Sequence, residues 1–272
     1  MAVFSNTRIA LRHLLATLMN DQVTGVVASP GSGSFVCAST DWERSDDFFN
    51  DFVEVYCYSG TGIGTSGKPT NWVNATHTLS FLPAATLTVA DLVEVHRRFT
   101  VEEYNRAINH AIDQVAMDAL VDRVDESITL TSGTYQYNLP TQFLYIDDLW
   151  ISDVNGDWVE QLPLDQKYWR PVKKSTLLIE FIKERYSPIT SHKVRIVGMA
   201  SPSSLDTDAE TTPIDPEYII QAAKAFLHQS RIRGADKDSE FHAQQMQIAA
   251  TLASGSRREM QTNRTGVAIV EA

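Results

Sequence analysis

Residues 99–120 read FTVEEYNRAINHAIDQVAMDAL, and the reading of the fold turns on them. Thr100 is a good N-cap, and Glu103 three residues on completes a capping box, so a helix begins here. Val101, Tyr104, Ile108, Ala111, Ile112, Val115 and Ala119 recur at helical spacing and give that helix one face to bury. It spans about 100–121 and separates two blocks with a different rhythm.

Upstream, about 22–90, the pattern is β. TGVVAS, SFVCAS, DFVEVYCYS and HTLSFL are short β-branched or aromatic runs, broken by Pro30-Gly31, by Asp46-Asp47 and by a glycine-rich turn. They predict a small antiparallel module. Before them, Ser5 or Asn6 caps a helix over about 5–20, with Ile9, Leu11, Leu14, Leu15 and Leu18 at helical spacing. TVADLVEVHRR at 88–98 reads as a shorter helix leading into the central one.

Downstream, about 126–200 returns to β. ESITL, TYQYNLP and FLYIDDLWISDV precede Asn155-Gly156, the strongest hairpin signal in the chain, and DWVEQL, TLLIEFIKE and HKVRIVGM follow it. SPSSLDTDAETTPI (201–214) is polar and acidic and reads as a mobile loop. Asp215-Pro216-Glu217 then opens a helix with Asp at the N-cap and Pro at N1; it runs to about Ile232, and Gly234 breaks it. A fourth helix fills about 236–253, and the last residues, SGSRREMQTNRTGVAIVEA, show no helical period.

The predicted class is therefore α+β: a helical bundle core (helices about 5–20, 100–121, 215–232 and 236–253) with an inserted antiparallel β module and a second β sheet. The predicted organisation is an N-terminal helix (1–21), the β module (22–90), a core (91–254) and an extended C-terminal arm (255–272). Strands and helices do not alternate regularly, which excludes a doubly wound fold.

At 272 residues with 43% hydrophobic composition the chain can build its own core without disulfides or metal. Thirty-four acidic residues against 23 basic ones give a net charge of -11, which argues against a dedicated nucleic-acid binder. Cys37 and Cys57 are too few for a disulfide framework or zinc cluster; they read as buried free thiols, with a cross-strand bridge the alternative. Arg8, Arg12 and His13 interrupt the N-terminal apolar stripe, so no signal peptide is expected, and no run approaches the ~20 apolar residues that cross a bilayer. A soluble protein, intracellular when made, is the expectation.

GTGIGTSGKPT (60–70) imitates two phosphate-binding motifs: Gly62, Gly64 and Gly67 fit G-x-G-x-x-G, and with Lys68 nearly fit a P-loop. Pro69 stands where the magnesium-binding hydroxyl belongs, and TNWVNATHT after it reads as strand, so no helix N-terminus faces the loop. A hairpin loop is expected, and no cofactor. The seven histidines (His13, His77, His96, His110, His192, His228, His242) show no metal-ligand spacing, and neither Asp46-Asp47 nor Asp147-Asp148 has a base or nucleophile at a recognisable distance. No catalytic residues and no metal are predicted; the chain does not read as an enzyme.

Two features point to assembly. The tail carries Arg257, Arg258 and Arg264 ahead of an apolar patch, Val267, Ala268, Ile269 and Val270, which suits either a frayed terminus or an arm that orders on a partner. Aromatics crowd residues 135–169; most belong in sheet core, and Trp150, Trp158 and Trp169 are the candidate interface aromatics.

From about residue 85 onward the layout resembles the head-to-tail adaptor (connector) proteins of tailed bacteriophages. FTVEEYNRAINHAIDQVAMDAL, ITLTSGTYQYNLPTQFLYIDDLWI, KKSTLLIEF and DPEYIIQAAKAFLHQSRIRG carry the resemblance, over about two thirds of the chain. It implies a virion protein of the neck, made in the host cytoplasm, that forms a twelvefold ring beneath the portal. The implied partners are further copies of itself, the portal, the next tail or neck protein, and genomic DNA that passes through the channel without sequence-specific binding; the β module can grip tail fibres, and no membrane is involved. The implied portal-docking arm is Arg257, Arg258, Arg264, Val267, Ile269 and Val270. Rival readings are another tail component (stopper, terminator or hub), or a carbohydrate-binding module or small hydrolase with sugar stacked on the aromatic sheet.

Overall fold

The short runs after residue 21 close on themselves. In the computed structural model, which describes residues 6–38, 42–140, 143–158, 163–173, 177–232, 238–259 and 267–268, the elements follow in this order. First come β1 (Asn6–Thr7), α1 (Arg8–Leu18), β2 (Gln22–Gly31), β3 (Ser34–Cys37), β4 (Glu54–Ser59), β5 (Ser66–Val73), β6 (Thr78–Leu82), β7 (Leu92–His96) and α2 (Val101–Val115). Then come β8 (Val121–Thr129), β9 (Gln136–Asn138), β10 (Phe143–Ile151), β11 (Trp169–Lys173), β12 (Leu177–Phe181), β13 (Lys193–Ala200) and β14 (Thr211–Thr212). Last are α3 (Pro216–Ile232), α4 (Ser239–Glu259) and β15 (Val267–Ala268). No described helix is long and apolar enough to cross a membrane. The chain divides into two compact units, Met1–Gln114 with Ser204–Glu259, and Val115–Ser203 with Met260–Ala272.

The expected helical bundle core is not what forms. Strands (35%) outnumber helical residues (29%), and the first unit is organised by a closed six-stranded barrel in the order β2-β3-β6-β5-β4-β7. β2 closes it by pairing with β7 through Gln22–Val26 and with β3 through Val27–Gly31. So few strands leave an interior that side chains fill: Phe35, Trp42, Phe49, Trp72, Leu79, Phe81, Val93 and Val95 are all buried there. The Trp42 ring lies directly on Gly25, where a Cβ would come within 2.7 Å of it, and its Nε1 donates to the Thr24 carbonyl at 2.7 Å. Cys37 and Cys57 lie in the same core as free thiols, and burial pushes Cys57 up to about 11.

Why the bundle reading fails is visible at each helix. An apolar stripe shows that a face is covered, not what covers it. α1 buries Leu11, Leu15 and Ala16 together with Arg12, whose guanidinium reaches Glu94 of β7 (Nε–Oε1 3.0 Å) and Asp208 (Nη1–Oδ1 2.8 Å). α2 is tied to the barrel by its first residue, since Val101 N–H donates to Glu54 of β4 at 2.6 Å, and by Tyr104, which donates to Asp21 at 2.7 Å. Its capping box forms: Thr100 N–H donates to Glu103 at 2.8 Å and Glu103 N–H to Thr100 Oγ1 at 3.2 Å.

Residues 88–98, expected as a short helix, contain the strand β7. Val93 and Val95 enter the barrel while Glu94 and His96, equally buried, take part in the polar layer outside it, so the two-residue period is hidden in the burial pattern. The 201–214 segment is also tied down rather than mobile. Leu205 and Asn109 exchange two hydrogen bonds (2.9 and 3.1 Å), Arg8 donates to Asp208 at 2.9 Å and to the Leu205 and Asp206 carbonyls, and β14 pairs with β1.

The second unit holds a sheet in the order β15-β10-β13-β8 and another in the order β11-β12-β9. Their side chains share one core, with Phe143, Ile146 and Leu149 from β10, Val194 and Ile196 from β13, and Ile179 and Phe181 from β12. Asn155-Gly156 makes its turn, with Gly156 at φ 87° and Asp153 accepting from the Asn155 and Asp157 amides.

Arg12→Ala is expected to cost the first unit about 3–5 kcal/mol, because it strands the buried Glu94 carboxylate without its cation. Arg106→Ala, which removes only the exposed pair with Glu102, should leave the thermal midpoint unchanged.

Candidate functional site

In the first unit α3 and α4 pack against each other and leave apolar side chains exposed. α3 starts as its sequence requires, with Glu217 N–H donating to Asp215 Oδ1 at 3.0 Å and Pro216 in the first position. It buries Tyr218, Ile219, Ile220, Ala222, Ala223, Leu227 and His228. α4 packs along it and buries His242, Ala249 and Ala253, spaced i, i+7 and i+11. One position before each stand Phe241, Ile248 and Leu252, left 49%, 53% and 49% exposed. The apolar surface of α4 is thus wider than its packing against α3 covers, and the surplus forms a stripe along the helix. A cavity of about 250 Å³ beside it is lined by Tyr218, Ala222, Phe226, Met246, Ala250 and Arg257 among others.

The pairing of α3 with α4 includes a contact that no sequence spacing announces. His228 Nδ1 and His242 Nδ1 lie 2.9 Å apart in the buried seam, so one ring donates and the other accepts, and the two cannot both be charged. Burial first, then the nearby His242, Lys224 and Arg98 charges, lower His228 to about 4.

A second polar cluster sits between barrel and helices. Glu94 contacts Arg12 (2.9 Å), His13 (2.8 Å) and His96 (3.5 Å). Burial alone would raise Glu94, but the His13 and His96 contacts and the Arg12 charge reverse this and hold it well below the usual carboxylate range. Asp21 is raised by burial, against the hydrogen bonds it accepts from Tyr104 and from the Phe99 and Arg98 amides. These carboxylates are engaged in joining α1, β7 and α2, which is a structural task.

The glycine-rich loop is spent in the same way. Gly62 N–H donates to Asp91 Oδ2 at 3.1 Å, Asp91 also accepts from Thr88, and the chain continues into β5. An aspartate therefore occupies the place a phosphate would take. Among the described residues, no group of three or more His, Cys, Asp or Glu is placed to hold a metal ion. Asp147 is raised by burial and by the Asp148 and Asp122 charges.

The tail residues singled out from sequence fall in three places. α4 continues past residue 253 to Glu259, so Arg257 and Arg258 belong to the helix, with Arg257 exposed. Val267 lies in β15, which adds to the edge of β10 through the pairs Tyr145–Ala268 and Ile146–Val267. Arg264, Ile269 and Val270 lie outside the described residues. Trp169 is buried and donates to the Leu164 carbonyl at 3.2 Å, while Trp150, half-buried in β10 opposite Arg195, and Trp158, which carries the Arg195 guanidinium on its ring at 4.2 Å, both neighbour that arginine. That cation takes a ring face on which a sugar would stack.

A family model, the SU10 adaptor protein, matches residues 80–269, and the chain belongs to that family. The resemblance to tailed-phage head-to-tail adaptors is thereby borne out. The match begins inside β6, so α1 and β2 to β5 precede it. Among solved structures, a chain described as the neck of an empty GTA particle computed with C6 symmetry is similar at 19% identity, over 60% of this chain and 76% of that one, with a TM-score of 0.24. No curated protein matches the sequence.

The His228–His242 contact gives a pH test. A histidine lowered in the folded state takes up a proton on unfolding, so its stability contribution is whole above about 6.5 and is lost as pH falls towards 4. The thermal midpoint of the wild type should fall more steeply across that window than that of His228→Gln; parallel curves would show that the pair is not coupled to folding.

Proposed function

We propose that this adaptor assembles as a closed ring, twelvefold as the sequence resemblance implies, at the head-to-tail junction of a tailed-phage particle. The family match over residues 80–269 is the observation that carries this reading. A heterologous contact repeated about one axis closes without free ends. Ile248 and Leu252, one turn apart on α4 and half exposed, supply such a contact.

In this reading the C-terminal segment docks to the portal. Arg257, Arg258 and Arg264 meet acidic groups there, and Val267, Ile269 and Val270 fill an apolar recess. Among the described residues β15 pairs with β10 through Tyr145–Ala268 and Ile146–Val267, and pairing of the segment on a partner would compete with that hold. Repetition around the ring multiplies each weak arm contact. The opposite side receives the next neck or tail protein, and the net charge of -11 keeps the passing genome from adhering to the channel wall. The work is mechanical, and synthesis takes place in the host cytoplasm.

Removal of residues 260–272 is expected to leave the thermal transition of the first unit in place and to abolish co-sedimentation with the portal protein of the same particle. Undiminished co-sedimentation would remove the arm from the account. Ile248→Asp with Leu252→Asp should leave a folded protomer whose mass by sedimentation no longer rises with concentration.

A further inference from the structure

The basic residues of this acidic chain are not evenly engaged. Immediately after β7 stand Arg97 and Arg98, both exposed. Their backbone is fixed: Arg97 N–H donates to the Asp21 carbonyl at 2.9 Å and Arg98 N–H to Asp21 Oδ1 at 2.6 Å. Arg231, near the end of α3, donates to the Arg98 carbonyl and lies on the Phe99 ring at 4.6 Å. These three guanidiniums, with Asp238, Phe241 and His242, line a cleft of about 610 Å³ in the first unit. Arg97 also lines the adjoining cavity of about 130 Å³, which holds Arg44 over the Phe48 ring at 5.6 Å.

Among the described residues, no carboxylate forms an ion pair with Arg97, Arg98, Arg231 or Arg44. Arg8, Arg12, Arg106, Arg170 and Arg195, by contrast, each have a carboxylate within 3 Å. Clustered like charges oppose folding, and Arg231 is held among them by its contacts with the Arg98 carbonyl and the Phe99 ring. Their rigid backbone and the seated Arg231 instead present donors already in place for an anion, which lowers the ordering cost of binding.

We propose that this cleft is a docking site for an acidic polypeptide segment of a partner protein, whose carboxylates meet Arg97, Arg98 and Arg231 while an apolar side chain rests on Phe241. Among the described residues three guanidiniums and one carboxylate, Asp238, line the cleft, which favours an anionic occupant. A recess with an exposed aromatic edge fits a flexible peptide, which can end inside it. Duplex DNA is a rigid cylinder with one charge per about 1.7 Å of axis, and it would extend beyond the cleft over a chain of net charge -11. The site stands on the first unit alone and is separate from the portal-docking arm, so loss of the ring or of the arm leaves it in place.

The test is fluorescence anisotropy with the full-length protein and a labelled hexaglutamate peptide at low salt, beside a labelled short DNA duplex. Saturable peptide binding is expected, weakened at least about tenfold by Arg97→Glu with Arg98→Glu, which corresponds to about 1.4 kcal/mol. Lys193→Glu, the same kind of charge change in the second unit, should leave it unaltered, and an unchanged thermal midpoint certifies the double variant as folded. Absence of peptide binding, or binding indifferent to the double variant, overturns the proposal. So does DNA binding tighter than peptide binding and lost in the double variant, which would give the cleft to nucleic acid.

Discussion

Arg12 has no access to solvent, and its charge has to be answered inside the protein. Glu94 and Asp208 answer it, one from the last barrel strand and the other from the segment before β14, so a single guanidinium holds α1, the barrel and a distant stretch of chain in one arrangement. Burial works against the Arg12 charge, but the Asp208 hydrogen bond and the two carboxylate charges outweigh it and raise its pKa. A buried pair of this kind adds little net stability over an apolar substitute, yet leaving either partner alone is expensive. It therefore acts as a selector: packings in which α1 slides or β7 shifts register leave a charge stranded. Asp21 extends the same constraint, because the carboxylate that accepts from Tyr104 also fixes the backbone of Arg98 and Phe99.

Local signals were legible in the sequence, and partners were not. Thr100 with Glu103 and Asp215 with Pro216 mark helix starts through interactions that span three residues or fewer, and such chemistry is the same whatever surrounds it. Closure of β2 through β7 depends on pairings such as Gln22–His96, which no local pattern encodes. β7 is the sharpest case. Val93, Glu94, Val95 and His96 alternate apolar and polar as a strand does, and the helical reading of 88–98 passed over that period; in the fold the Arg12 layer buries Glu94 and His96 as well, so both faces are covered. Arg12 itself reads as an interruption of an apolar stripe, which is the opposite of its place as a fully buried residue.

The candidate surfaces show the same division. The rejection of the glycine-rich loop as a phosphate site could be argued from Pro69 and the following strand, and Asp91 supplies the positive reason. The His228–His242 contact joins residues on two helices, and only the α3–α4 packing brings them together. Arg97 and Arg98 are adjacent in sequence and drew no notice there, because a basic dipeptide is unremarkable until Arg231 arrives beside it. The family match starts at residue 80, and Arg12 of α1 ties the chain before it to Glu94 of β7, Asn105 of α2 and Asp208 within the matched region.

Assembly through a repeated contact is the central claim, and electron microscopy of the concentrated protein, alone and with its portal, tests it most directly. Closed rings with an open channel, about twelve subunits around, are the expected result in at least the portal-containing sample. Single protomers in both samples would contradict it.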